Sequence, residues 1–118
     1  MAVSLLTNNA VSPTINVNAQ SASYTAVLGD GSNTLVTINN ASANTFTIPP
    51  NSSVAFPVGT ILNIAQTGAG QTTITQGSGV TIVSNGATAS APKLRVQYSA
   101  ASAIQTSTNN WLIVGDVA

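Results

Sequence analysis

Apolar and polar residues alternate at period two in short stretches spread along the chain: 34–39, 45–48, 61–64, 72–75, 80–83, 93–98, 103–106 and 111–114. Such alternation puts every second side chain on one face of an extended backbone, so each stretch predicts a half-buried β-strand. The residues in them are mainly Thr, Val, Ile, Ser and Asn, which suit a pleated surface, and the usual helix builders are scarce. No helix is predicted. Turn chemistry separates the stretches: Gly29-Asp30-Gly31, Asn39-Asn40, Pro49-Pro50-Asn51, Pro57-Val58-Gly59, Gly68-Ala69-Gly70, Gly77-Ser78-Gly79, Asn85-Gly86 and Asn109-Asn110. Glycine and asparagine tolerate positive φ, and proline cannot donate to a ladder. Punctuation about every 8 to 12 residues predicts an all-β fold, a single antiparallel β-sandwich or barrel.

Residues 1–20 follow a different pattern, broken by Thr7-Asn8-Asn9 and Ser12-Pro13, with only Ile15 and Val17 alternating. The expected organisation is therefore an extended N-terminal arm over 1–20, ending in an edge strand, and an all-β domain over 21–118. The arm is the segment expected to serve assembly. Internal repetition is limited to echoes such as Thr73-Ile74-Thr75 and Val80-Thr81-Ile82, and their spacing does not predict a solenoid. The expected core comprises Phe46, Ile48, Phe56, Ile64, Ile74, Leu94 and Trp111.

Charge changes this picture most. Of 118 residues only 3% are charged, against about 25% in an ordinary soluble domain. The four are Asp30, Lys93, Arg95 and Asp116, and they sum to zero. A neutral chain has no basic footprint for phosphate backbones or anionic lipid, which argues against nucleic acid and membrane as partners. Hydrophobic residues make up 43%, too many for a chain that cannot collapse. No apolar run approaches the ~20 residues of a membrane-spanning helix, and the N-terminus lacks the charged start of a signal peptide. A soluble protein made in the cytoplasm is expected.

The chemistry of catalysis is largely missing. There is no histidine, cysteine or glutamate, so the commonest general bases, thiol nucleophiles and zinc ligands are absent together. Lys93 has no Ser-x-x-Lys spacing around it. Asp30 and Asp116 are the sole carboxylate side chains and form a catalytic pair only if the fold joins them. The structural reading is that Asp30 caps its own turn and Asp116 serves the C-terminus, while Lys93 and Arg95 solubilise and blunt a strand edge. The pairs Gly68-x-Gly70 and Gly77-x-Gly79 lack the rest of a phosphate loop and read as turns. Catalytic, cofactor-binding and metal residues are all expected to be none, and no cofactor is expected. Among the aromatic residues, Trp111 and Tyr98 are candidates for a sugar platform, with Trp111 read first as a core anchor. A surface of Thr, Ser, Asn and Gln without charged gatekeepers predicts that identical neighbours or a larger lattice cover it.

Particular segments carry a family resemblance. Tyr24-Thr25-Ala26-Val27-Leu28-Gly29-Asp30, the run 40–60 containing Asn44-Thr45-Phe46-Thr47-Ile48-Pro49-Pro50-Asn51 and Phe56-Pro57-Val58-Gly59, and Gln66-Thr67-Gly68-Ala69-Gly70-Gln71 come first. Gln97-Tyr98-Ser99-Ala100 and Trp111-Leu112-Ile113-Val114-Gly115-Asp116 complete the set. In order and spacing, residues 23–117 resemble a module of tailed-bacteriophage virion proteins, found in tail-fibre-like chains and in small decoration or cement proteins. The chain departs from that pattern at Asp30-Gly31-Ser32-Asn33, where the family often reads Asp-Ala-Gly-Lys. The resemblance implies a structural protein on the outer surface of the virion. A compact body with an arm suits a capsid decoration protein that bridges major capsid subunits, with a homotrimer favoured. The alternatives are a tail or fibre module contacting the host surface and, in another class, a carbohydrate-binding domain.

Overall fold

The computed structural model describes residues 14–118. Nine strands are described: β1 (Asn16–Gln20), β2 (Tyr24–Thr25), β3 (Thr34–Ile38), β4 (Asn44–Ile48), β5 (Ile61–Gln66), β6 (Thr72–Gln76), β7 (Thr81–Val83), β8 (Ala100–Ser107) and β9 (Asn110–Gly115). They form a six-stranded sheet ordered β1-β3-β5-β8-β9-β7 and a three-stranded sheet ordered β2-β4-β6. The all-β expectation holds.

The antiparallel expectation does not. β1, β3 and β5 pair in parallel, as do β2, β4 and β6, and β7 pairs in parallel with β9. Only β8 runs against its neighbours β5 and β9. The first six strands alternate strictly between the two sheets, so the chain winds as three stacked coils: β1–β2, β3–β4 and β5–β6. This is a short two-sheet parallel solenoid, contrary to the reading of the repeat spacing. Parallel neighbours need a crossover, and here the strand in the opposite sheet supplies it. β7 returns to the first sheet, and the β8–β9 hairpin lies between β5 and β7.

Side-chain alternation explains why this winding is stable. β3 reads buried, half-buried, buried along its length, as does β4, and β5 and β6 alternate in the same way, so the second and third coils send buried rows toward the other sheet. Equivalent positions then stack: Val36 lies beside Ile64 and then Ala101, and Tyr24 beside Phe46 and then Ile74. All seven residues expected in the core are buried, none more than 4% exposed. Trp111 meets Phe56 edge-on, with ring centroids 5.6 Å apart at 89°.

The turns between the sheets stack too, and glycine lets them. A Cβ on Gly68 would run into the Asn40 backbone nitrogen, and one on Gly70 into the Ser42 backbone oxygen. Coil three therefore nests beneath the turn of coil two only because these positions lack side chains. Buried polar groups bridge the same turn. Gln66 donates to the Gly68 carbonyl at 3.2 Å and accepts from the Thr72 amide at 3.0 Å. Asn44 accepts from the Thr72 hydroxyl at 2.6 Å.

One further expectation changes. Residues 93–98 are not a strand: Lys93 and Leu94 make isolated bridges to Thr73 and Val117, and Tyr98 turns the chain with φ of 72°. Of the expected arm, its last residues form the edge strand β1, a member of the first coil, and 1–13 lie outside the described residues.

Candidate functional site

Outward-pointing residues of the six-stranded sheet form continuous rows because register carries each position across to its neighbour. One row reads Val83, Leu112, Ile104, Ile61. The next reads Val114, Ser102, Asn63, Leu35, Val17, and a third reads Ala100, Ala65, Thr37, Ala19. Val83, Leu112, Ile61, Val114 and Val17 are exposed, between 38% and 63%. None of these rows holds a charge.

This face has relief. A groove of about 380 Å³ is lined by Ile15, Leu35, Asn63, Ala100, Ala101, Ser102, Val114 and Gly115. Beside it, sharing Asn63 and Ser102, a second depression of about 510 Å³ runs past Gly31, Asn33, Gly59, Thr60 and Ile61. The polar pair between them is internally satisfied: Ser102 donates to Asn63 Oδ1 at 2.7 Å, and Asn63 Nδ2 donates to the Thr34 carbonyl at 3.3 Å. Polar groups with partners in place cost less to cover than orphaned ones.

The outer face of the three-stranded sheet is built from the same strand type with different chemistry. Thr25, Thr47 and Thr75 align in one row, and Thr45 and Thr73 in another. The Thr47 and Thr75 hydroxyls lie 2.8 Å apart, and the Thr45 amide donates to the Ser23 hydroxyl at 3.0 Å. The result is a hydroxyl-bearing surface.

The charged residues occupy separate places. Asp30 is 3% exposed and accepts three hydrogen bonds: from Tyr24 Oη at 2.7 Å, Asn18 Nδ2 at 2.9 Å and the Val27 amide at 2.9 Å. The last closes its own turn, as the Gly-Asp-Gly pattern suggested, while the other two tie β1 and β2 to that turn. Burial first, and then the bond to Asp30, raises the Tyr24 hydroxyl above its ordinary pKa. Asp116 faces Arg95 in a two-point ion pair, 2.7 and 3.1 Å, and accepts the Ser99 hydroxyl at 2.6 Å. The Arg95 contact and then that of Ser99 hold the Asp116 carboxyl below its usual range, and the same pairing raises Arg95.

Asp30 precedes β3 and Asp116 follows β9, which run in the same direction three strand spacings apart. Strand dimensions therefore separate the two carboxylates by more than about 15 Å, too far for one shared site. Lys93 lies opposite Thr73 where segment 92–94 covers the edge of β6: the Ile74 amide donates to the Pro92 carbonyl at 2.8 Å and the Leu94 amide to the Thr72 carbonyl at 2.9 Å. Trp111 is 2% exposed and so unavailable as a sugar platform, while Tyr98 is 76% exposed. The apolar row Val83-Leu112-Ile104-Ile61 escaped sequence reasoning, because it unites strands far apart in the chain.

No protein-family model matches this sequence, and no curated protein matches it.

Proposed function

We propose that the chain is a structural protein of a tailed-bacteriophage particle, a decoration or cement protein that bridges major capsid subunits on the outer surface of the head. The carrying observation is the uncharged, partly apolar outer face of the six-stranded sheet. Exposed aliphatic residues aligned on an uncharged face fit a contact surface, and a neutral contact keeps its strength as salt varies. The resemblance over residues 23–117 points to the same role. In this reading the protein is made in the host cytoplasm, acts as several copies with a trimer favoured, and works by added contact area rather than chemistry. It needs no cofactor, nucleic acid or membrane.

A tail or fibre role is the second reading. The stacked parallel coils favour it, since such coils extend readily along an axis, and Tyr98 offers an exposed ring. Electron cryomicroscopy of purified particles with and without the protein separates the two. Regular density lost across the head, with rupture at lower temperature, supports decoration. Density lost only at the tail supports the fibre reading, and no loss anywhere overturns both.

A further inference from the structure

We infer that the outer face of the six-stranded sheet is where a second copy of this chain docks, the row Val83-Leu112-Ile104-Ile61 of one copy seating in the groove over Ala100, Ala101, Ser102 and Gly115 of the other. This deepens the multi-copy part of the structural reading and rests on it.

Relief argues for a copy of the chain itself. Bulky side chains form the ridge, and the adjoining groove has a floor of small residues between Ile15 and Leu35 on one side and Val114 on the other. Ridge and groove lie side by side on one face, so each copy carries both halves of the fit. A two-fold pair, face to face, seats each ridge in the other copy's groove and leaves neither ridge uncovered. Charge argues the same way: the face has none to match against a foreign partner, and its central Asn63–Ser102 pair is already satisfied.

Area is sufficient. Six strands at about 4.8 Å spacing and five residues at about 3.3 Å cover roughly 450 Å² in projection, and more as accessible surface because side chains stand above the sheet. Two such faces bury about 1,000 Å² or more, where specific interfaces begin.

The test is sedimentation equilibrium of the full chain at about 1–100 μM. Wild type is expected to associate in a concentration-dependent way. Leu112→Lys places a charge in the ridge and is expected to raise the dissociation constant at least about tenfold. Thr73→Lys, a charge on the opposite face, is expected to associate like wild type, and circular dichroism confirms that each variant folds. If Leu112→Lys does not fold, Ser102→Gln, which fills the groove, takes its place with the same expectation. Wild type that stays monomeric, or a folded Leu112→Lys as associated as wild type, overturns the inference. A monomer in solution that still decorates heads sinks this inference and leaves the virion reading intact. Association through this face by a protein absent from particles does the reverse.

Discussion

The two outer faces of the solenoid are built from the same coils yet meet solvent in opposite ways. Along β4 and β6 the outward positions are threonines, whose hydroxyls pair with one another or face water. Along β5, β8 and β9 the outward positions include Ile61, Ile104, Leu112 and Val114, three of them exposed. The apolar face lacks the lysines and glutamates that ordinarily keep sheets soluble and apart, and the hydroxyl face has only Lys93, opposite Thr73 at its edge. A hydroxyl face can stay wet, whereas an aliphatic face without charge is stable when covered. The difference assigns the faces distinct duties, and it can be attacked at several points.

The largest effect comes from removing what holds the faces back to back. Phe46 is fully buried between the sheets, stacked with Tyr24 at a centroid distance of 6.3 Å. Phe46→Ala should cost about 3–5 kcal/mol, read as a large fall in the urea midpoint, and should abolish both faces together. A loss below about 1 kcal/mol would mean that the two sheets do not share this core.

Next in size is the closure of the first coil. Asp30→Asn leaves one good acceptor where the carboxylate serves Tyr24, Asn18 and Val27, and should cost about 1–3 kcal/mol. Because β1 contributes Val17 and Ala19 to the apolar face and β2 contributes Thr25 to the hydroxyl face, amide exchange should quicken in Asn16–Thr25 of both. Faster exchange spread evenly over the whole domain would contradict a local role.

How much of this was legible in the sequence follows from the physics of alternation. Period two reports which side chains are inward, so the seven core residues and most strand positions could be read directly. Strand direction leaves no such trace, since parallel and antiparallel ladders share the same alternation, and the sandwich expectation took the commoner arrangement. The coil repeat was hidden because coils differ in length: Asn16 faces Thr34, whereas Thr47 faces Thr75 with an offset of 28. The usable signal was Thr45-Phe46-Thr47 echoed by Thr73-Ile74-Thr75 at that offset. Lys93–Tyr98 alternates as well as any strand, yet Tyr98 at positive φ and the Val96–Ser99 turn break it. The apolar ridge could not be seen at all, because it exists only once the β8–β9 hairpin is set between β5 and β7.

A smaller effect on stability sharpens the contrast most directly. Thr47→Val with Thr75→Val removes a hydroxyl pair and replaces it with methyl groups of the same shape, so stability should change by less than about 1 kcal/mol. The hydroxyl face then resembles its counterpart, and binding of an apolar dye should rise. The converse, Leu112→Thr, should lower it in the dilute, dissociated protein, where the ridge is uncovered. Unchanged dye binding in both would show that composition of the outer rows does not distinguish the faces.

The smallest effect concerns the clasp where the faces meet at one end. Leu94 bridges to Val117 beside the Arg95–Asp116 ion pair, so the chain leaving the edge of β6 is tied to the end of β9. The side chains are 58% and 42% exposed, and solvent screening keeps the pair's contribution small. Its sign is nonetheless fixed. The Asp116 pKa is depressed in the folded protein, chiefly by Arg95 and then by Ser99. The stabilisation is therefore complete above the ordinary value of 3.8 and is lost as pH falls through the lowered folded value. Tyr24 behaves oppositely: its raised pKa gives a contribution complete below 10.0 and lost as pH rises through the folded value. Urea midpoints at pH 7 and in the acid range below pH 3.8, compared for wild type and Asp116→Asn, isolate the clasp. Wild type should lose more on acidification than the variant, and added salt should narrow the gap. Equal losses would mean that Arg95 and Asp116 meet without stabilising the junction, leaving the backbone bridges of Leu94 and Val117 to hold the two faces together.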